Sequence, residues 1–286
     1  MPISTRVYND QAMSTLNRIT GDIQDIQSRI ATGRNILKAS DSPAVGAKIS
    51  FTKDQKVLLE RYNTNIDRSL NRMAQAESAI ATSVNVLQRI YELSVQARND
   101  TNNAGDRSAI AMEVRNLRDQ MLSLANSRDT NGRYIFAGYK VDLKPFVQTE
   151  DGKVEHKGDR GVHTLQISDN QRLSTSLDGA EVFLRVRQEE GIADIFESID
   201  DMIASLENGK MEDVHLDRMS VAVEHFSLQQ TKLGSEMNRA EMQRSVNDRR
   251  LLIMSEDISN LEDADLAKLV TDLQAKLQPH EVCWTR

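Results

Sequence analysis

The sequence predicts a mainly α protein: an elongated rod of long, antiparallel, coiled-coil-like helices with one small β-rich inserted domain. Apolar residues recur at helical spacing toward both ends of the chain. No glycine or proline occurs between Gly46 and Gly105, or between Gly234 and Pro279. Seven of the thirteen glycines instead fall within residues 132–191. There, short segments in which apolar and polar residues alternate take the place of the helical spacing.

Composition favours thin helical packing over a thick globular core. Aromatic residues make up only 4% of the 286 residues, although aromatic rings supply much of the buried area of compact domains. The formal net charge of −7 is not offset by any basic run with interleaved aromatics, so we expect no nucleic-acid partner. The sequence has neither the apolar core of a signal peptide nor a span of 18 apolar residues, so we expect no cleaved signal and no membrane insertion.

The first predicted helix carries a narrow apolar stripe. Its positions step by four and three residues through Ala12, Leu16, Ile19, Ile23, Ile26 and Ile30. This is the spacing of a coiled-coil seam, and Gly33 is the expected residue just after the helix. In the loop that follows, Ser40, Asp41 and Ser42 can cap the next helix, and Pro43 suits its first turn.

A second helix is predicted from Ala47 to about Asn99. Its apolar residues recur at every seventh position: Leu59, Ile66, Met73, Ile80 and Leu87. A helix of roughly 50 residues extends about 75 Å, which a compact domain of this size could not bury. The Asn- and Asp-rich segment 99–108 predicts a turn, and a third helix is predicted from about Arg107 to Arg128.

Residues 132–190 are predicted to form the β-rich domain. Three segments alternate apolar and polar residues and predict strands: RYIFAGY (133–139), VHTLQIS (162–168) and EVFLRVR (181–187). After Gly191 the sequence predicts a short helix and then a long one from about Met211 to Gln278. The late apolar positions of the long helix could face the seam of the first helix: Ile258, Leu261, Leu266, Leu269 and Leu273.

No arrangement of residues in the sequence predicts an active site, a metal site or a cofactor site. His156 and His163 flank Asp159, but no third ligand follows at a zinc-site spacing. His215 and His225 lie on a predicted long helix, far from any nucleophile arrangement. The chain has one cysteine and no phosphate-binding glycine motif. We therefore expect a protein that is not an enzyme and binds no cofactor.

Three motifs, in this order along the chain, resemble those of the bacterial flagellin family. IATGRNILKASDSPAVGAKI (30–49), with Ser40, Asp41 and Pro43, is similar to the family's N-terminal loop. LEDADLA (261–267), with Asp263 and Asp265, is similar to the matching C-terminal element. LANSRDTNGRYIFAGYK (124–140) resembles the segment of the members at the hook–filament junction in which helix gives way to a β domain. Its motif residues are Asn131, Gly132, Arg133, Tyr134, Phe136 and Gly138.

The resemblance implies a structural protein that self-assembles into a layer between hook and filament. It implies export through the flagellar type III route without a cleaved signal. The partners it implies are other copies of the chain, flagellin, an adjacent hook-associated junction protein and an export chaperone. It divides the chain into a terminal coiled coil (1–45 with 255–286), a helical rod domain (46–131 with 191–254) and a β-rich variable domain (132–190).

Two alternatives stay open at this point. A short filament flagellin would share the fold, and only the 131–138 motif and the small insert argue against it. A cytoplasmic helical adaptor or signalling hairpin would need the same long heptads but no β insertion. The segment QPHEVCWTR after Leu277 departs from the family pattern, since Pro279 is expected to kink or end the helix.

Overall fold

The computed structural model describes residues 3–38, 40–99, 102–188, 191–209 and 211–284, and within these the side chains between 7 and 277. Helices dominate the described residues and confirm the mainly α class. They are α1 (Ile3–Thr32), α2 (Pro43–Ala97), α3 (Ala104–Ala125), α4 (Gly179–Phe183), α5 (Ile195–Glu207), α6 (Asp213–Glu262) and α7 (Leu266–Trp284). The strands are β1 (Phe146–Gln148), β2 (Val154–His156), β3 (Thr164–Ser168), β4 (Gln171–Ser174), β5 (Val186–Gln188) and β6 (Gly191–Ala193).

The chain divides into two compact units. The terminal unit comprises Met1–Glu60 and Asn247–Arg286, and the central unit comprises Arg61–Val246. Helices α2 and α6 each have residues in both units. The division into three domains expected from the sequence stays a prediction. None of the described helices combines the length and the apolar character needed to cross a bilayer.

In the terminal unit, α1 and α7 pack antiparallel. The end of α1 meets the start of α7 through a hydrogen bond from the Ala264 amide to the Gly33 carbonyl. Further along the pair, the ammonium group of Lys276 forms an ion pair with Asp22. Gly33 follows the last residue of α1 with a φ of +68°, which is the left-handed conformation that the sequence predicts for a glycine at this place.

The prediction of one long helix from Met211 to Gln278 is wrong. The structure ends α6 at Glu262 and begins α7 at Leu266. The Ala264 amide donates to Gly33 instead of to its own helix, and the carboxylate of Asp265 accepts from the Lys268 amide at 3.0 Å and caps the new helix. Pro279 does not end the helix, because α7 continues to Trp284.

The core of the central unit is built from α2, α3, α5 and α6 together with the hairpins. Its heptad residues on α2, among them Ile66, Met73, Ile80 and Leu87, are fully buried. Five buried phenylalanines form one cluster around Phe183, in which the centroids of contacting rings are 5.2–6.2 Å apart: Phe136, Phe146, Phe183, Phe196 and Phe226. The aromatic residues that are scarce in the sequence are thus concentrated in one place.

Among the described residues the strands pair as three separate antiparallel hairpins, β1 with β2, β3 with β4 and β5 with β6. The predicted strand VHTLQIS is confirmed over its last five residues as β3. The prediction for EVFLRVR is half wrong, because residues 181–183 complete α4 and only the segment from Val186 forms β5. Asp178 caps α4 by accepting the Ala180 amide at 2.9 Å.

The prediction that RYIFAGY forms a strand is wrong. Residues 134–138 are buried one after another, so the segment lacks the exposed alternate face of a hairpin strand. Its amides bond to flanking loops, from Tyr134 to the Val141 carbonyl at 2.8 Å and from Ile135 to the Ser127 carbonyl at 3.0 Å. The third helix also begins earlier than predicted, because Asn103 and Asp106 form a capping box within the turn segment.

Candidate assembly surfaces

The N-terminal and C-terminal motifs of the sequence contact each other directly. The Asn35 amide donates to the Glu262 carbonyl at 2.8 Å, and the Ala264 amide donates to the Gly33 carbonyl at 2.9 Å. Between these bonds, Arg34 and Asp263 face each other as an isolated antiparallel bridge. We refer to residues 33–35 with 262–264 as the motif clasp. The clasp joins two segments that lie near opposite ends of the chain.

Glu262 anchors the clasp, and the sequence analysis did not select it. Its carboxylate lies 3.2 Å from the Arg34 guanidinium and 2.9 Å from the Lys53 ammonium group, while its side chain is only 13% exposed. A carboxylate at the C-terminus of a helix is unfavourable to the helix dipole unless cations neutralise it. The sequence offered no such signal, because Glu262 lay inside the single helix predicted from Met211 to Gln278.

The predicted capping residues of the N-terminal motif have different roles. Asp41 accepts amide hydrogen bonds from Lys38 at 2.9 Å and Leu37 at 3.2 Å, so it closes the loop rather than capping α2. The bond from Lys38 is the main reason that the pKa of Asp41 lies below its ordinary value. Ser40 is exposed beside it, and Pro43 is the first residue of α2, as predicted.

In the C-terminal motif the two aspartates have different roles at the break between α6 and α7. Asp263 accepts a hydrogen bond from the Ser259 hydroxyl, four residues earlier. Asp265 caps α7, as described above. Both side chains are exposed. The motif therefore specifies where α6 ends and α7 begins, which is also where the clasp forms.

The residues that the sequence assigns to an assembly seam are mostly half-buried in the terminal unit. On α1, Ile23 is buried, while four others keep part of their surface exposed: Leu16, Ile19, Ile26 and Ile30. On α6 and α7 four are half-buried, Ile258, Leu261, Leu269 and Leu273, and Leu266 is 48% exposed. The pairing of α1 with α7 thus leaves part of the seam uncovered.

The terminal unit also exposes large apolar side chains elsewhere. More than half of the surface of each of these is exposed: Val7, Tyr8, Met13, Phe51, Val57, Leu252 and Ile253. Its described buried apolar residues, by contrast, are Ile23, Ile49 and Leu59, and none of them belongs to the core cluster of the central unit. Extended exposed apolar surface is typical of a region that is buried by association with partners.

In the third motif, Asp129 organises a tight turn. Its carboxylate accepts the amides of Asn131 at 2.8 Å and Arg133 at 3.0 Å, and Gly132 adopts a φ of +78° between them. All three side-chain positions 131–133 are exposed. Tyr134 is buried, with the Arg128 guanidinium 4.4 Å from the centre of its ring.

The second half of this motif belongs to the core. Phe136 packs edge-on against Phe183, with ring centroids 5.2 Å apart. Gly138 has a φ of +68°, and a Cβ atom there would lie 2.1 Å from Oδ1 of Asp159. Asp159 accepts the amides of Tyr139 at 2.8 Å and Gly161 at 2.7 Å, and these bonds lower its pKa.

The histidines considered for metal binding make other contacts. The His163 Nε2 atom lies 3.1 Å from the Gly138 carbonyl, and His156 packs against the ring of Phe146. The ring of His225 lies near the carbonyls of Glu181 and Val182. Within the described ranges, no three residues of the types His, Cys, Asp and Glu come together as metal ligands.

A second residue missed by the sequence analysis is Arg118, which is buried on α3. Its guanidinium forms two hydrogen bonds with the Asp200 carboxylate, at 2.6 and 2.8 Å, and a third with the Gly152 carbonyl at 2.9 Å. It therefore connects α3, α5 and the β1–β2 turn. An arginine in the middle of an apolar helix face was the signal for such a buried partner.

Comparison with known proteins finds similarity to flagellar proteins. Residues 3–141 match the family described as the bacterial flagellin N-terminal helical region. Flagellar hook-associated protein 3 of Salmonella typhimurium is 25% identical over 97% of this chain and 94% of its own length. A flagellin of Bacillus subtilis is also 25% identical, over 93% of this chain and 89% of its own length.

Solved structures agree in fold. The crystal structure of flagellar hook-associated protein 3 from Legionella pneumophila superimposes with a TM-score of 0.68, at 17% identity, over 74% of this chain and 98% of that one. The fold, the motif clasp and the matched relatives agree with one another. Over nearly its whole length the chain is similar to flagellar hook-associated protein 3, and its residues 3–141 match the flagellin N-terminal helical region.

Proposed function

We propose that this protein is a structural component of the bacterial flagellum that forms the junction layer between hook and filament by self-assembly. The observation that carries the proposal is the similarity to flagellar hook-associated protein 3, which extends over both the terminal unit and the central unit. The segment 124–140, which resembles that of the junction members, supports this position over a place within the filament itself. Catalysis has no part in the proposed role.

The properties of the terminal unit support self-assembly. Its half-buried seam and its exposed residues such as Tyr8, Phe51 and Leu252 offer apolar area that a neighbouring subunit can cover. Burying such area contributes about 25 cal/mol for each Å² removed from water. The motif clasp fixes α1 against the start of α7, so that the exposed apolar residues of both helices can be covered by the same neighbouring subunit.

The proposed partners are other copies of the chain, flagellin on one side and an adjacent hook-associated junction protein on the other. We further propose that the protein is located outside the cell in the flagellum. In this account it is exported unfolded, without a cleaved signal peptide, and is bound by an export chaperone before export.

Deletion of the coding sequence tests the proposal. The expected result is cells with hooks but no filaments, which release monomeric flagellin into the medium. Expression of the intact chain from a plasmid should restore filaments, which controls for effects on neighbouring genes. Normal flagella in the deletion strain would contradict the proposed role.

A short filament flagellin is the second candidate, because the Bacillus subtilis flagellin matches the chain over a similar length. The same deletion separates the two functions. Loss of a filament subunit changes filament length or composition while flagellin stays on the cell. Loss of the junction layer leaves hooks bare. A cytoplasmic adaptor or signalling hairpin would leave flagellar structure unchanged.

A further inference from the structure

A polar pocket of about 560 Å³ lies in the central unit beside the exposed turn 131–133. Three arginines line it, Arg68 and Arg72 from α2 and Arg133 from the turn. Asp129 is the acidic residue of the lining, and its carboxylate already accepts the amides of Asn131 and Arg133. The pocket therefore carries an excess of positive charge in a protein whose net charge is −7.

The three guanidinium groups have no ion-pair partner within the part of the chain that the structure describes. Some other arginines of the central unit do have one, such as Arg118 with Asp200 and Arg244 with Asp67. Like charges held together repel one another, and in a pocket with partly buried walls that repulsion is less screened than in open solvent. An arrangement of this kind is stabilised when an anion enters it.

Arg72 is the most buried of the three. Its Nε atom is buried and has no hydrogen-bond partner in the described structure, and one terminal nitrogen reaches the Tyr134 carbonyl only at 3.5 Å. Burial lowers the pKa of Arg72 below its ordinary value, although an arginine keeps its charge at neutral pH. A buried donor without an acceptor is costly, and an oxygen atom of a ligand would remove that cost.

We propose that this pocket is an oxyanion-binding site in which the guanidinium groups of Arg68, Arg72 and Arg133 hold the ligand. Guanidinium groups form paired, charge-assisted hydrogen bonds with planar or tetrahedral oxyanions. In the assembled flagellum the ligand is a side-chain carboxylate of an adjoining copy of this chain, since the chain has 43 acidic and 36 basic residues. This last step rests on the proposed function, whereas the oxyanion site itself does not.

Thermal unfolding of the isolated full-length chain tests the site, with sodium sulfate as the probe and sodium chloride at equal ionic strength as the reference. Sulfate stabilises proteins in general, even without a binding site. Variants of the pocket therefore distinguish binding at the site from this general effect. We expect a saturable rise in melting temperature of about 3–6 °C at ten times the dissociation constant. The rise should be lost in the double variant Arg68→Gln with Arg133→Gln and kept in the control Arg172→Gln, which is exposed on β4.

A second measurement does not depend on the stability of any variant. In the wild-type chain, the backbone amide resonances of Asn131, Gly132 and Arg133 should shift with sulfate and reach a plateau, while chloride leaves them in place. Equal behaviour in sulfate and chloride, in both the melting and the resonance experiments, would overturn the oxyanion site.

Cells that carry the double variant in place of the wild type show which anion occupies the pocket in the flagellum. If sulfate binding is lost and filament formation falls, the ligand in the assembly is a carboxylate of a neighbouring copy. If sulfate binding is lost and filaments form normally, the pocket binds a free inorganic anion and the subunit contact is refuted. Failure of the proposed function would appear separately, as normal flagella in the deletion strain.

Discussion

The amide of Ala264 donates a 2.9 Å hydrogen bond to the carbonyl of Gly33, and this bond joins the end of α1 to the break between α6 and α7. It works with a second bond, from the Asn35 amide to the Glu262 carbonyl, to pair short segments from the two ends of the chain. Assembly through the terminal unit requires these ends to be presented together. The clasp is thus the structural link between the sequence motifs and the proposed role.

Glu262→Gln should weaken the clasp. The substitution removes a charge that two cations share, Arg34 and Lys53, at a side chain that is mostly buried. We expect the terminal unit to lose about 1 kcal/mol, given the partial exposure of both cations. The measurement is hydrogen exchange at the Asn35 and Ala264 amides, which should quicken. Glu256→Gln, at an exposed position on α6, is the matched control and should leave the exchange unchanged.

Gly138→Ala should strongly destabilise the central unit. The alanine would have to adopt a φ of +68°, and its Cβ would lie 2.1 Å from Asp159 Oδ1 and 2.4 Å from the Asp159 carbonyl oxygen. We expect a loss of about 3 kcal/mol or more in chemical denaturation. Gly132→Ala isolates the backbone contribution, because Gly132 has a similar φ of +78° but open space around it. It should cost only about 1 kcal/mol. Equal losses at the two positions would contradict this steric explanation.

These two glycines show what the sequence could and could not predict. The cluster of glycines and aromatics at 131–140 correctly located the end of the helical pattern. It did not predict that residues 134–138 would be buried on all sides, because apolar alternation in a short segment fits a strand equally well. The burial of Gly138 against Asp159 depends on a loop contact twenty residues away, which local patterns do not specify.

Arg118→Met should reduce stability through the groups that it leaves without a partner. The Asp200 carboxylate would lose two hydrogen bonds from a buried guanidinium, and the Gly152 carbonyl would lose one. We expect a loss of about 3 kcal/mol in chemical denaturation, and a partial recovery when Asp200→Asn is added. Arg89→Met, which breaks the exposed ion pair with Glu113, should change the stability far less than Arg118→Met does. A double variant no more stable than Arg118→Met would contradict the pairing argument.

Asp194 should make the stability of the central unit depend on pH. Burial raises the pKa of Asp194 to about 6, and the negative charges of Glu197 and Asp200 add to the effect. The folded state therefore binds more protons than the unfolded state between about pH 4 and pH 6. The stabilisation that Asp194 contributes is complete below about pH 4 and is lost as the pH rises through 6.

Asp194→Asn tests this dependence. Asparagine can still cap α5 by accepting the Phe196 amide, so the helix start is retained. We compare the free energy of unfolding of the variant with that of the wild type at each pH. This difference should shift in favour of the variant by up to about 2 kcal/mol between pH 4 and pH 7. Urea denaturation at pH 4, 5, 6 and 7 measures both proteins. A constant difference across these pH values would show that Asp194 titrates normally.

Isolated protein should be monomeric and frayed at the chain ends. The described part of the terminal unit buries few apolar residues, and its seam lacks the neighbours that the assembly provides. Limited proteolysis should first remove segments of the terminal unit and leave a resistant fragment of the central unit. A digest in which residues 1–40 remain intact while the central unit is cut would contradict this prediction.

The helices were largely predictable, and their ends less so. Heptad spacing predicted α1 and α2, and the return of the helical pattern after Gly191 predicted α5. The break between α6 and α7 was missed, since it contains neither glycine nor proline and exists because Ala264 bonds to Gly33 across the chain. The candidate assembly residues were found from their apolar spacing. Two polar residues, Glu262 of the clasp and Arg118 of the central unit, were missed because their partners lie far away in sequence.

The most direct test of the junction role is electron microscopy of purified flagella labelled with a gold-conjugated antibody against this protein. Our account predicts label at a single position, where the hook meets the filament, and none along the filament. Hooks purified from the deletion strain provide the negative control and should carry no label. Label distributed along the whole filament would contradict the account and identify the protein as a filament subunit.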